Sequence, residues 1–280
     1  MNRIKISSLF FLFFILFSSA VLGQYLGLNP LSKPISYKDK TLVVILDESE
    51  EYTNDIKGPL NEALKTDWTL TPYKVVSSHE LEAKIGDYQK NEKYIFLSFE
   101  FVKVGTTVGG GLAFGKTVKR NAYLGPEVNA KGKVKKSNFI FVPTSMQEFS
   151  LKGGIIKDIY NLQGYLLNGM DDLIAPKQSI REKTIYVNKL HIGSRDEEDI
   201  KAKYPYPVKV LSGEEFSKAL EEKKSDVLYF DYVDNAKVGY IMIYSLDKNG
   251  TILWRQGAKG VNNFVHANFD VLRKKLDKGK

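Results

Sequence analysis

Three histidines, His79, His191 and His266, are the side chains from which acid–base or metal chemistry could be built. No two of them stand at a spacing that would set them on one helical face for a metal ion, so no metal site is expected. His191 has the most chemical setting, near the end of an apolar strand, because ligands of α/β sheets gather beyond strand C-termini. Asp231 and Glu100 fall late in two other strands and could share that rim. A His191–carboxylate pair there would supply a general base, as in a hydrolase acting on an envelope polymer. No nucleophile elbow of the GxSxG type accompanies it, and no catalytic residue is otherwise identified.

Gly110, followed by four residues and then Gly115-Lys116-Thr117, satisfies the GxxxxGK[ST] spacing of a phosphate-binding loop. Such a loop needs a strand before it and a helix after it. Here Val118 to Gly125 meets Pro126 too soon for a dependable helix, so no nucleotide is expected and the stretch reads as a glycine-rich hairpin or mobile loop. The chain contains no cysteine, which removes disulfides, thiolate metal sites, redox motifs, cysteine nucleophiles and an N-terminal lipid anchor.

Charge is uneven. Between Lys103 and Lys136 stand eight basic residues (Lys103, Lys116, Lys119, Arg120, Lys131, Lys133, Lys135 and Lys136) and one acid, Glu127. The bias favours an anionic surface or polymer, such as lipid headgroups or an acidic glycan. Seven of the eight are lysine, which suits diffuse attraction better than bidentate phosphate recognition and makes nucleic acid a poor candidate. Among the aromatic residues, Trp68, Tyr204, Tyr206 and Trp254 are the candidates for exposure to a sugar face.

The elements that position these residues fall into two series. Thr41 to Leu46 is a continuous apolar run of the kind found in a strand buried on both faces. A helix is expected from about Pro59, with proline in its first turn. Lys74-Val75-Val76-Ser77-Ser78-His79-Glu80-Leu81 has a counterpart in Lys209-Val210-Leu211-Ser212-Gly213-Glu214-Glu215-Phe216. In both, a strand ends in Ser with Glu three residues on, the spacing of a capping box, and an apolar helix face follows. Strands at Tyr94 to Phe101 and Val227 to Val233, and an opening strand at Thr184 to Val187, complete the parallel. The expected fold is therefore α/β, with two similar small halves arising by internal duplication and joined by a helix, plus a C-terminal hairpin and helix. The boundaries are a signal peptide at 1–23, an N-terminal arm at 24–40, a first α/β repeat with a basic glycine-rich insertion at 41–149, a connecting helix at 150–180 and a second repeat at 181–280.

In element order and patterning each half resembles the small α/β module of envelope proteins, such as the N-terminal domain of the TolB translocation protein and the curli secretion lipoprotein. The resemblance implies an envelope-associated binding or assembly module, and it transfers no functional residue.

Residues 1–23 read as an export signal: Arg3 and Lys5 precede the apolar run Leu9 to Phe17, and Val21 and Gly23 suit the −3 and −1 positions of a cleavage site before Gln24. Removing Arg3 and Lys5 leaves 39 basic against 33 acidic residues, a charge of +6. A secreted or periplasmic product has little access to cytoplasmic cofactors, so none is expected. The function expected is a non-enzymatic binding or scaffold module of the envelope whose partner is an envelope protein or an anionic surface, with the hydrolase as the alternative. After cleavage no further segment is apolar enough to span a membrane.

Overall fold

A computed structural model describes residues 35–108, 111–135, 139–145, 150–168, 177–192, 196–234, 239–247, 252–258 and 265–278. The expected export signal, most of the N-terminal arm and Lys136 lie outside these residues.

The first half begins with β1 (Thr41–Leu46), α1 (Thr53–Thr66), β2 (Tyr73–Ser77), α2 (Ser78–Ala83) and α3 (Ile85–Tyr88). The long strands β3 (Tyr94–Val108) and β4 (Gly111–Gly125), then β5 (Ile140–Ser145) and α4 (Leu151–Asn168), complete it. Its sheet runs β2-β1-β3-β4-β5, with β1, β2 and β3 parallel and β4 and β5 antiparallel additions. The second half follows a short α5 (Lys177–Glu182) with β6 (Ile185–Asn188), α6 (Asp196–Lys203), β7 (Val208–Leu211) and α7 (Gly213–Glu221). It closes with β8 (Leu228–Asp234), β9 (Gly239–Tyr244), β10 (Ile252–Ala258) and α8 (Val265–Asp277). Its sheet runs β7-β6-β8-β9-β10, again with three parallel strands and two antiparallel ones. Strand order and strand direction are thus the same in both halves, and in both a helix follows the fifth strand. The two halves differ in the length of the third and fourth strands, which are far longer in the first.

Local sequence explains most of these elements. Leu42 to Leu46 are all buried because β1 is flanked on both sides by parallel neighbours and covered on both faces. Ser77 caps α2 by accepting from the Glu80 amide, and Ser212 caps α7 by accepting from the Glu215 amide. Only the second cap is reciprocal, the Glu215 carboxylate accepting from the Ser212 amide. Glu80 turns instead to Lys84 on the surface. The helix expected from Pro59 starts earlier, at Thr53, and carries Pro59 inside it. The apolar stripe Ile56, Leu60, Ala63 and Leu64 explains the difference, since its burial begins one turn before the proline. Thr53 fixes the start by donating its hydroxyl to the Asp47 carbonyl at 2.6 Å.

The halves stack in five layers. α2 and α3 cover one face of the first sheet through Leu81 and Tyr88, and α1 and α4 cover the other. α4 then meets the second sheet on its own opposite side, where Ile156 and Tyr160 pack beside α7 against Tyr229, Met242 and Tyr244. The remaining face of the second sheet carries α6 and α8, with Tyr204, Phe269 and Leu272 against Val187, Phe230 and Ile243. The expected connecting helix is therefore the central layer of the molecule, buried from both sides. Its described residues are Leu151–Asn168, and 169–176 of the expected segment lie outside the described residues. α4 approaches α7 closely at Gly153, where an added Cβ would stand 3.3 Å from the Ser217 carbonyl oxygen and 3.4 Å from Leu220 Cβ. Among the described residues no helix is long and apolar enough to cross a membrane.

Candidate functional site

The pairing registers align the two halves residue by residue. Val44 lies between Val75 and Leu97, as Val187 lies between Val210 and Phe230. The residues after Leu97 and Phe230, Ser98 and Asp231, therefore hold the same place on the third strand of each sheet, near its C-terminal rim. In the first half that place opens to a cleft of about 180 Å³ lined by Ser98, Glu100, Asp47, His79, Lys131 and Lys133, among others. In the second half it is filled. Lys157 of α4 ion-pairs with Asp231, and both side chains are fully buried. Among the described residues, a ligand site of the usual kind, beyond parallel strand ends, is thus open in the first half, whereas the equivalent position of the second half is occupied by Lys157.

The cleft is built from three elements. Asp47 leaves the end of β1, where its carboxylate accepts from the amide and hydroxyl of Ser49. Partial burial pushes this carboxyl up, but the Ser49 hydrogen bonds and the nearby Lys133 and His79 charges outweigh it and hold Asp47 below its ordinary range. His79 comes from the first turn of α2, which the Ser77 cap orients. The third wall is a tight hairpin bridged by Val128 and Val134, both buried against Leu81. Asn129 organises its tip: its side-chain oxygen accepts from the Lys131 and Lys133 amides at 2.9 and 3.1 Å. Gly132 turns the chain at φ +67°, and its amide donates to the Asn129 carbonyl. Lys131 and Lys133 are thereby held exposed at the cleft, with Lys133 3.8 Å from Asp47.

The pair expected at the second rim is present but closed. His191 ends a short 3-10 turn after β6, and its Nε2 lies 3.8 Å from Asp231 Oδ1, beyond hydrogen-bond reach, with both side chains buried. Glu100 does not share that rim; it belongs to the first sheet and lines the open cleft. Beside this group lies a second buried set. Arg120 of β4 holds Asp158 through Nε at 2.9 Å, and Thr144 of β5 donates to the other carboxylate oxygen at 2.5 Å. Tyr244 lies within the field of both carboxylates, and burial first, then Asp231, Tyr229 and Asp158, pushes its hydroxyl well above the ordinary value. Lys157 and Asp158 were not singled out from the sequence. Their signal was there, as two opposite charges side by side in a helix that is otherwise uncharged from Ile155 to Leu162.

The basic segment divides. Lys131 and Lys133 face solvent, and Lys135 pairs with Glu127 at 2.6 Å. Lys119 is buried, and Arg120 is buried on Asp158, so neither presents its charge at the surface. Lys116 stands on β4 opposite Gly105. Gly110 lies outside the described residues; Gly111 to Thr117 belong to β4, paired with β3 through a register shift at Gly105/Thr106, so this part of the phosphate-loop spacing falls on an antiparallel ribbon that continues as strand and not as helix. Of the aromatic candidates, Trp68 and Tyr204 are buried and Tyr206 is partly exposed, donating its hydroxyl to Asp277; the Trp254 side chain lies outside the described residues. Among the described residues no group of three or more His, Asp or Glu side chains is placed to hold a metal ion.

No protein-family model matches this chain, and no curated protein or solved structure matches it.

Proposed function

We propose that this chain is a secreted or periplasmic binding module of the cell envelope, with the open rim of its first half as the binding face and an acidic glycan as its partner. The observation that carries this is the unequal fate of equivalent positions: Ser98 opens to a cleft while Asp231 is closed over by Lys157. A second, catalytic use of the His191–Asp231 pair is disfavoured by the same burial, since a general base must reach its substrate. The order of basic, apolar and small residues in 1–23 supports export, and the sequence patterning of each half, which resembles that of small α/β envelope modules, is in keeping with that location.

Lys131 and Lys133 provide exposed positive charge, but Asp47, Glu82 and Glu100 line the same cleft. A nucleic acid backbone, whose phosphates are not interspersed with hydroxyl or amino groups, would meet these carboxylates at close range. A partner whose anionic groups alternate with hydroxyl or amino groups avoids that repulsion and can use Ser49, Ser78 and Ser98 as hydrogen-bonding positions.

The test is retention on immobilised heparin, a sulfated glycan, against single-stranded DNA. Heparin should retain the chain in a salt-dependent way, and Lys131→Ser with Lys133→Ser should shorten that retention without lowering the melting temperature. Equal retention of the double variant at low salt, or tighter binding to DNA, would overturn the assignment.

A further inference from the structure

A different part of the first half points to a second surface, independent of what the cleft binds. β3 pairs with β1 only from Tyr94 to Ser98, and β4 pairs with β5 only from Lys119 to Leu124. Both strands run on. The rungs Val104 with Thr117, Gly105 with Lys116, Thr106 with Ala113, Thr107 with Leu112 and Val108 with Gly111 belong to a two-stranded ribbon that, among the described residues, has no third strand on either side. The second half has no counterpart, since β8 ends at Asp234 and β9 begins at Gly239.

A lone two-stranded ribbon is marginal in water. Ribbons that remain in water are commonly guarded against edge pairing by charged residues or proline. This one has neither in its outer part: Val104–Val108 and Gly111–Gly115 contain no charged residue and no proline. Its composition is Val, Leu, Phe and Ala with Gly and Thr. The first charges, Lys103 and Lys116, stand at the base of the ribbon on opposite strands, two rungs apart.

We propose that this ribbon is a membrane-docking arm, whose uncharged outer part enters the interfacial zone of an anionic bilayer while Lys103 and Lys116 meet the lipid phosphates. An uncharged apolar segment with lysines at its margin matches the order of layers in a membrane surface, acyl region first and anionic headgroups above it. The unpaired backbone edges of the ribbon limit the depth. In hydrocarbon their amide groups would go unsatisfied, so the arm lies at headgroup level and does not span. A second copy of the chain is the less suitable cover, because pairing two arms would bring their basal lysines together without counter-charge.

The absence of cysteine allows a single thiol to be placed without altering any other residue. The chain from Gln24 onward, carrying Leu112→Cys with an environment-sensitive fluorophore, is mixed with vesicles of phosphatidylcholine alone or with added phosphatidylglycerol. A matched label at Lys218→Cys, on the exposed face of α7, serves as reference. The label at 112 should shift to the blue with phosphatidylglycerol vesicles only, and the label at 218 should not shift. Leu112→Asp with Phe114→Asp should weaken vesicle binding about tenfold or more while leaving heparin retention and the melting temperature unchanged. A label at 112 that still reports water on bound vesicles, an Asp variant that binds vesicles as well as the parent, or no binding to either vesicle would each overturn the arm. So would a dimer that the Asp variant converts to monomer, which would assign the ribbon to a second copy. Heparin retention governed by Lys131 and Lys133 is read separately, so either reading can fail without the other.

Discussion

Lys157 of α4 and Asp231 of β8 form a fully buried ion pair across the two halves, while the next residue, Asp158, is held by Arg120 and Thr144 of the first sheet. Adjacent side chains of one helix thus address different sheets, as the turn of about 100° per residue allows for a helix packed between two layers. Removing one member of such a pair leaves its partner charged and dry, whereas replacing both with apolar groups is often nearly neutral. Lys157→Met should therefore cost about 3–5 kcal/mol in urea unfolding, and adding Asp231→Leu should recover most of that loss. A double variant no more stable than Lys157→Met would show that the pair is not the coupling element.

Arg120 and the cleft lysines belong to one basic stretch of sequence but should respond in opposite ways. Arg120→Met leaves Asp158 buried without its cation and should destabilise by about 3–5 kcal/mol, seen as a large fall in melting temperature. Lys131→Ser and Lys133→Ser remove exposed charges, whose surface pairs contribute about 0–1 kcal/mol, so their melting curves should overlay the parent's. A stable Arg120→Met variant with lost heparin retention would reverse this assignment.

How far the sequence carried is clearest at particular residues. β1 was legible because a six-residue apolar run with no alternation has one comfortable place, the middle of a parallel sheet. Both serine caps were legible because their chemistry is local. The partners of Arg120 were not. Whether an arginine points to solvent or inward depends on the residue that meets it, and Asp158 lies 38 positions away on an element whose packing only the fold decides. The start of α1 was misplaced because proline at a helix's first turn is a strong local signal that the longer apolar stripe overrode. Glu100 and His191 look alike in sequence, each late in a strand, yet they belong to different sheets.

The two caps provide a graded test. Ser77→Ala and Ser212→Ala should each cost about 1 kcal/mol, the usual worth of an N-cap. The Ser212 change should cost more, because Glu215 loses its reciprocal arrangement as well. Glu215→Gln keeps an acceptor for the Ser212 amide and should be milder than Glu215→Ala. Glu80→Ala should leave stability almost unchanged, as Glu80 makes only an exposed pair with Lys84. Equal effects at Glu80 and Glu215 would contradict the asymmetry between the halves.

Acid should act first on the carboxylates that the folded state holds charged. Hydrogen bonds from Lys274 and then Arg273 bring Asp270 down to about 2, and the hydrogen bonds linking Glu215 to Ser212 lower Glu215 as well. A folded-state value below the unfolded one means the stabilisation is present above pH about 4 and is lost as pH falls towards the lowered value. Because Glu215 is exposed and Asp270 is partly so, the effect is modest and screened by salt. Stability measured between pH 5 and pH 2 should fall less steeply for Asp270→Asn than for the parent chain. Parallel curves for the two would mean that Asp270 titrates alike in both states.

Gly132 couples the stability of the cleft to its binding. At φ +67° it occupies the left-handed region, and a Cβ there would come within 2.5 Å of Leu81 Cδ2. An L-residue in that conformation costs roughly 1–2 kcal/mol. Leu81 is fully buried, so relief of the contact must come largely from movement of the hairpin tip. That movement would loosen the Asn129 hydrogen bonds that fix the Lys131 and Lys133 amides. Gly132→Ala should therefore lower the melting temperature and shorten heparin retention together, although it removes no charge. Asn129→Ala should do the same more mildly, by removing the acceptor and leaving the glycine. Full retention by a destabilised Gly132→Ala chain would show that the lysines bind without being positioned, and the hairpin would then be only a carrier of charge.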